Sequence, residues 1–321
     1  MPPSPFAIVR SMHSALEDIL RAADSLEHGA NGERQTAAIR QGLGLYRCSR
    51  PQEIRDIRVS EACVLLVLRG RKQLATSSRS WTATDGEMLL LPADMSFWLG
   101  NYPEEPGEEY RGLAIRFSAE VVQLFRQLYG SKIAEDTSNP RWHAAAPNEF
   151  LEALGQWIAW CGQRRLDDTL ARHRRVELLL LLAQAELAGH LLLTAHSSWS
   201  RRVSDLLQLD PAHPWRMEEV GSRLGASEST LRRHLQEEGQ GFRSLLEEVR
   251  LMHGLTLIQE SPWAIGRIAE AVGYRSQSRF SERFKLRFGL TPSSLRQTRL
   301  PPTAATAHIS DSGVLGETLT E

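Results

Sequence analysis

Two stretches in the last third of the chain combine arginines with short polar side chains at helical spacing. On the outward face of the first stretch, the candidate side chains are Ser229, Thr230, Arg232 and Arg233. On the outward face of the second stretch, they are Gln277, Ser278, Arg279, Glu282 and Arg283. A guanidinium group can pair bidentately with guanine or neutralise a phosphate, and a carboxylate can accept a hydrogen bond from cytosine N4. These side chains are therefore the predicted DNA-binding residues.

Each stretch contains two short helical segments joined by a tight turn. Gly225 ends the first helix of the first pair and Ser227 can cap the next helix, and Gly273 and Ser276 occupy the same positions in the second pair. The apolar residues that should face inward are Met217, Val220, Leu224, Leu231 and Leu235 in the first pair, and Ile265, Ile268, Ala269, Val272, Phe280, Phe284 and Phe288 in the second. This pattern predicts two helix-turn-helix units, of which both, or one alone, would contact DNA.

A helix predicted over 242–260 would connect the two units and hold them at a fixed distance. Such a spacing suits successive major-groove segments, which lie about 34 Å apart on one face of DNA. The formal net charge of the chain is −1, but 275–299 contain a single acid, Glu282. The basic residues of that segment are Arg275, Arg279, Arg283, Lys285, Arg287, Arg296 and Arg299. This basic stripe suits a phosphate backbone, although a solvated helix face is the ordinary alternative.

The run IAEAVGYRSQSRFSERFKLRFGLTPSSLR resembles the signature of the AraC/XylS family of bacterial transcription regulators, which is a helix, Gly-aromatic, Ser-x-Ser-x-Phe-Ser, Phe and Gly-x-Thr-Pro. The resemblance covers residues 200–299. It implies a sequence-specific regulator that binds double-stranded promoter DNA, touches RNA polymerase and activates transcription. Two positions depart from the family. Gly254 replaces the usual alanine of the connecting helix, at a cost of about 1 kcal/mol in helix propensity, and Glu282 stands where arginine is frequent.

Residues 43–117 have a different pattern, of short apolar runs separated by turn residues, which is typical of strands. The dipeptide Asp85-Gly86 lies between two such runs and predicts a hairpin. An antiparallel barrel or sandwich follows, and helical periodicity takes over from residue 119. The segments GRKQ and DGEMLLLPADMSFWL resemble the small cupin-like barrels that many family members carry as sensing and dimerising modules. This resemblance implies a homodimer controlled by a small-molecule or protein effector.

The predicted fold class is therefore α+β, with an N-terminal cupin-like antiparallel β-barrel, flanking helices, and a C-terminal all-α domain that holds two helix-turn-helix units. The predicted divisions are a sensing and dimerisation domain at 1–195, with its barrel at 43–117 and helices at 119–193, a DNA-binding domain at 196–300, and a disordered tail at 301–321. A linker is placed at 194–200, where small and polar residues interrupt the helical pattern.

Aromatic residues of the predicted barrel could line an effector pocket, because apolar pockets commonly bind small ligands. The candidate effector-binding residues are Trp81, Phe97, Trp98 and Tyr110. Core packing is the alternative for all four. The cations Arg69, Arg71 and Lys72 could bind an anionic effector, although a charged strand end is the ordinary interpretation. The leucines at 178–182 fit either a dimer seam or the core.

The sequence argues against an enzyme. A metal-dependent cupin enzyme needs several histidines and a carboxylate inside its barrel, yet 43–117 contain no histidine. Cys63 lies in an apolar strand, where a thiol is usually inert. No phosphate-binding loop or nucleophile-elbow motif is present. We therefore expect no catalytic residues, no metal and no cofactor.

The chain opens without an apolar segment of the signal-peptide type, and polar residues interrupt its most apolar stretch, 176–193. Its three cysteines are odd in number and widely spaced, which suggests neither a disulfide framework nor a metal site. These observations predict a cytoplasmic protein that does not enter a membrane.

Overall fold

The computed structural model describes residues 5–27, 41–130, 141–163, 167–192 and 198–299. Helix α1 (Pro5–Glu27) precedes the strands of the N-terminal domain. These strands are β1 (Leu43–Cys48), β2 (Gln52–Val59), β3 (Ala62–Arg69), β4 (Arg71–Ala75), β5 (Ser80–Ala83), β6 (Glu87–Leu91), β7 (Met95–Tyr102), β8 (Tyr110–Phe117) and β9 (His143–Ala145). The predicted tail at 301–321 and residues 194–197 of the predicted linker lie outside the described residues.

The strands form two stacked antiparallel sheets, one of order β1-β8-β3-β6-β9 and one of order β2-β7-β4-β5. In β3, Cys63, Leu65 and Val67 pack against the four-stranded sheet, where they meet Leu74 and Phe97. The alternate residues of β3 pack on the other side, against helices. Because β3 is buried on both faces, it is a continuous apolar run. The α+β class is confirmed, and the region predicted as a barrel consists of these two sheets.

The Asp85-Gly86 turn does not form the predicted hairpin. Gly86 has a φ of 79°, and Glu87 N donates to Thr84 O at 2.9 Å, so a tight turn is present. However, β5 pairs with β4, whereas β6 pairs with β3 in the other sheet. The apolar β6 is almost wholly buried and β5 is mostly exposed, so the two strands suit different layers. The turn therefore carries the chain from one sheet to the other.

Three helices cover the outer face of the five-stranded sheet together with α1: α2 (Ala119–Tyr129), α3 (Asn148–Gln163) and α4 (Asp168–Gln184). A 3-10 turn follows at Gly189–Leu192. Trp157 of α3 and Phe117 of β8 are buried in the core between helices and sheet. Leu178, Leu179 and Leu182 are buried in the same core, which favours the core interpretation of the leucine run.

The C-terminal domain is helical throughout its described residues. Its helices are α5 (Trp199–Gln208), α6 (Met217–Arg223), α7 (Glu228–Glu237), α8 (Phe242–Glu260), α9 (Ile265–Ala271), α10 (Gln277–Phe288) and α11 (Pro292–Arg299). We call α6 with α7 the first unit, and α9 with α10 the second unit. Each unit has a core of its own. Helix α8 contributes Leu245 and Val249 to the first core and Leu255 and Ile258 to the second, so it joins the units rigidly.

The N-terminal domain packs directly on the second unit. Ile54 of β2 is fully buried in the core of that unit. Ser49 N donates to Thr298 O of the adjoining α11 at 2.7 Å, and Asp56 lies 3.4 Å from the guanidinium of Arg287 on α10. The second unit is therefore held by the sheets as well as by α8.

Candidate nucleic-acid interface

The first unit presents its polar residues because its leucines are fixed in the core. Leu231 and Leu235 are buried, and the Ser227 hydroxyl caps α7 by accepting from Thr230 N at 3.2 Å. This orientation exposes Ser229, Arg232 and Arg233, and leaves Thr230 half-buried. The cap and the leucines lie where the sequence predicted them.

The exposed residues of α7 form one shallow concave surface. It is lined by Ser227, Glu228, Ser229, Arg232, Arg233 and Gln236. Arg232 pairs with Glu228 one turn away, and Arg233 lies 3.7 Å from Glu237. Such exposed pairs contribute little to stability, so both arginines can exchange their carboxylate for a phosphate at small cost.

The second unit exposes a similar face by the same means. Ser276 caps α10 by accepting from Arg279 N at 3.3 Å. Phe280, Phe284 and Phe288 are fully buried, and the last two rings lie 4.6 Å apart in an edge-on contact. The phenylalanine stripe turns the opposite face outward, so the predicted Gln277, Ser278, Arg279 and Glu282 are all exposed.

Arg283 is a predicted DNA-binding residue that is bound to a carboxylate on another helix. Its Nε and Nη2 donate to both carboxylate oxygens of Glu247 on α8, the second of these at 2.7 Å. Hydrogen bonding to Glu247, together with its charge, raises the pKa of Arg283. The sequence did not reveal this pair, because the two residues are far apart in the chain and meet only when α8 packs beside α10.

Apart from Arg283, the predicted basic stripe divides into two groups. Arg275, Arg279 and Lys285 are exposed. Arg287 lies between Asp56 and Glu248, at 3.4 and 3.8 Å, Arg296 donates to the Trp263 carbonyl, and Arg299 donates to Ile258 O at 3.0 Å. The second group therefore stabilises the fold, and the first group is available to phosphates.

Gly254 has a packing role that explains its departure from the family. A Cβ at this position of α8 would lie 2.8 Å from the ring of Phe280. Phe280 is fully buried and cannot move aside freely. The glycine therefore lets α8 and α10 approach closely.

The predicted effector residues do not gather around one pocket. A cavity of about 1020 Å³ lies between the two domains, and of the four predicted residues Phe97 alone lines it. Trp81 stacks on Trp142, with ring centroids 4.8 Å apart. Tyr110 is buried in the core between the sheets, and Trp98 is half-buried away from the cavity. The core interpretation therefore describes Trp81 and Tyr110.

Lys72 is the unusual residue of this cavity. It is 2% exposed, and its ammonium donates to Asn101 Oδ1 at 2.6 Å and to the Tyr110 hydroxyl at 3.4 Å. Both partners are neutral, and burial lowers the pKa of Lys72 to about 8. The cavity wall nearby is apolar, with Leu65, Leu74 and Leu99. The sequence suggested Lys72 as an anion site without showing that it is buried.

Within the described residues, no three His, Cys, Asp or Glu side chains converge as metal ligands. No helix among these residues combines the length and the apolar character that crossing a bilayer requires.

Two family models match the chain. The model described as AraC-type transcriptional regulator N-terminus matches residues 40–197, and a helix-turn-helix domain model matches residues 220–298. The second match contains α7, α10 and the connecting α8.

Curated relatives are named as transcription regulators. The urease operon transcriptional activator of Escherichia coli is 33% identical over 97 residues, which are 30% of this chain and 33% of that protein. The regulator YdeO of Escherichia coli K12 is 34% identical over 158 residues, 46% of this chain and 60% of YdeO. The activator AggR of Escherichia coli is 21% identical over 253 residues, 75% of this chain and 92% of AggR. The chain matches less than two thirds of the length of the first two.

Solved structures of ToxT from Vibrio cholerae share the fold. An apo ToxT variant covers 80% of this chain and 97% of its own, with 17% identity and a TM-score of 0.58. ToxT bound to an unsaturated fatty acid covers 80% and 95%, with 16% identity and a TM-score of 0.56. The match extends over both domains.

Proposed function

The chain belongs to the AraC/XylS family of transcription regulators, and from this premise we propose that it binds promoter DNA sequence-specifically and activates transcription. The observation that carries the proposal is the exposure of two polar recognition faces, on α7 and on α10, joined by the rigid α8. The 19 residues of α8 span about 28 Å. This length is comparable with the helical repeat of DNA, about 34 Å, so both faces can enter successive major-groove segments.

The exposed residues divide naturally between the two tasks of DNA recognition. Arg275 and Lys285 are exposed cations that can contact DNA phosphates. Phosphate contacts fix the position of the protein without reading the base sequence. Gln277, Arg279 and Glu282 carry the donors and acceptors that discriminate base edges. On this proposal the second unit reads most of the sequence, and the more weakly charged first unit adds a half-site through Arg232.

The proposal is tested by selecting DNA from random fragments with the full chain, then measuring affinity for the selected site. Arg279→Ala should weaken binding about 5- to 150-fold, because a bidentate base contact contributes about 1–3 kcal/mol. The matched control is Arg79→Ala, an exposed arginine of the N-terminal domain, which should bind as the unmodified chain does. Selection of no common motif, or equal losses in both variants, would contradict the proposal.

We further propose that the protein acts as a homodimer in the cytoplasm and contacts RNA polymerase at its promoter. The support is the family, whose relatives named above are regulators and activators, and no enzymatic activity forms part of the proposal. Sedimentation of the purified chain tests the dimer. A reconstituted transcription assay at the selected promoter tests activation, and an unchanged transcript level on adding the protein would exclude it.

We also propose that a small molecule with an acidic group and an apolar body controls the protein from the cavity between the domains. Lys72 supplies a buried cation without a carboxylate partner among the described residues, and leucines supply the apolar wall. The structure of ToxT bound to an unsaturated fatty acid supports this choice of ligand chemistry. Binding of a long-chain acid, but not of the corresponding alcohol, to the purified chain would bear it out.

A further inference from the structure

A buried carboxyl group lies at the contact between the two domains. Glu260 is the last residue of α8, and it is 4% exposed. Apart from the neighbouring Tyr46 hydroxyl, neither of its carboxylate oxygens has a hydrogen-bond partner among the described residues. A C-terminal helix end also carries partial negative charge, which disfavours an anion there. Glu260 is therefore placed where its ionised form is costly.

The N-terminal domain is shaped to receive this side chain. Gly44 of β1 faces Glu260 closely enough that a Cβ on Gly44 would lie 3.1 Å from Glu260 Oε1. Next to it, the buried Tyr46 of the same strand has its pKa raised by burial and by the charge of Glu260. The carboxyl of one domain is thus enclosed by a strand of the other, and docking removes it from water.

The charged groups around Glu260 come from several elements. Arg116 of β8 and Arg299 of α11 act on it directly, and both favour the ionised form. Burial lowers the pKa of Arg116, but its interactions with Tyr46, with Glu260 itself and with Glu61, before β3, raise that pKa above its ordinary value. The Arg116 charge is thus shared among several groups, and it offsets the burial of Glu260 only in part.

We propose that docking of the N-terminal domain on the second unit is coupled to protonation of Glu260. The domains stay docked while the carboxyl is neutral, and they separate more readily once it is ionised. This inference goes beyond the proposed function, since it concerns the contact between domains and does not depend on DNA.

The direction of the pH dependence follows from two pKa values. In the docked state, burial raises the pKa of Glu260 to about 7, against the opposing effects of Arg116 and Tyr46. In water, a glutamate has a pKa of about 4.3. The docked state therefore holds a proton that the separated state releases. Docking is strongest below the lower pKa and weakens as the pH rises through the higher one, by roughly tenfold between pH 6 and pH 8.

The experiment measures the distance between the domains by energy transfer between two dyes on the full chain, without DNA. Labels are placed at Ser80→Cys on β5 and Ser293→Cys on α11, which are exposed, whereas the native cysteines are buried. Transfer should fall as the pH rises from about 6 to about 8. Glu260→Gln should remain docked throughout this range. The control Glu152→Gln, an exposed glutamate of α3, should titrate as the unmodified chain does.

A second variant keeps the test decisive if Glu260→Gln does not fold. Arg116→Gln removes a cation that favours the ionised carboxyl, so the midpoint of the transfer curve should move to higher pH. The proposal is overturned if the unmodified chain shows constant transfer over this range, if Glu260→Gln titrates like the unmodified chain, or if Arg116→Gln leaves the midpoint in place.

Discussion

At the scale of single residues, the arginines of α10 differ in their surroundings although they recur at every fourth position of one helix. Arg279 is exposed, Arg283 is bound to Glu247, and Arg287 is bound between Asp56 and Glu248. The sequence predicted the outward direction of Arg279 and Arg283 from the phenylalanine stripe, because helical periodicity fixes direction. It could not identify the partners of Arg283 and Arg287, since Glu247 and Asp56 come from other elements.

The pairing of Arg283 leads to a prediction for DNA affinity. On binding, we expect Arg283 to leave Glu247 for a phosphate, at the cost of this half-buried, bidentate ion pair. Glu247→Gln removes that competition and should tighten DNA binding about fivefold or more, because exposed pairs contribute about 0.2–1 kcal/mol and bidentate pairs contribute more. Titration of labelled DNA at fixed salt measures the change.

A double-mutant cycle isolates the pair from the general loss of a negative charge. In an Arg283→Ala background, Glu247→Gln should have a clearly smaller effect. Equal effects in both backgrounds would show that Arg283 does not change partner when DNA binds.

At the scale of elements, α8 has two separate tasks. Its first half completes the core of the first unit, and its second half completes the core of the second. Periodicity in the sequence predicted the helix and its bounds, 242–260. Its close approach to α10 at Gly254 could not be predicted. The need for a glycine arises only because the Phe280 ring, which is distant in sequence, packs against this position.

Gly254→Ala should destabilise the protein by about 1 kcal/mol, although alanine is the better helix former. The propensity gain is about 1 kcal/mol, and forcing a methyl group into a packed core costs about 1–3 kcal/mol. Denaturant unfolding measures the difference. The control Gly155→Ala in α3, where the nearest contact of an added Cβ is 3.5 Å away, should stabilise. A stabilised Gly254→Ala variant would mean that α8 and α10 are less closely packed than described.

At the scale of the whole molecule, the cavity and the Glu260 contact lie between the same two domains. Phe97 and Lys72 line the cavity from the sheets, whereas Val249 and Met252 line it from α8. A molecule bound there would touch both domains at once. Its binding would therefore shift the equilibrium between the docked and the separated domains. Of these residues, the aromatic composition of the strands identified Phe97 alone, because the cavity exists only where the domains meet.

Lys72→Met should abolish the preference for an acidic ligand. A hydrogen bond to a charged group contributes about 1.5–3 kcal/mol, so affinity for a long-chain acid should fall about 10- to 150-fold. Affinity for the corresponding alcohol should remain as it was. In the unmodified chain, acid binding should weaken above about pH 8, where Lys72 loses its proton. Calorimetric titration measures both effects, with the exposed Lys285→Met as the control. An equal loss for acid and alcohol would contradict a role for the Lys72 charge.

The sequence by itself determined the features that depend on near neighbours in the chain. The caps Ser227 and Ser276, the inward leucines and phenylalanines, and the connecting helix all follow from local hydrogen bonding and helical periodicity. Tertiary structure decided the rest: the separation of β5 from β6, the partners of Arg283 and Arg287, and the burial of Lys72 and Glu260. These depend on which distant segments pack together, and burial then sets the charge and proton affinity of the groups enclosed.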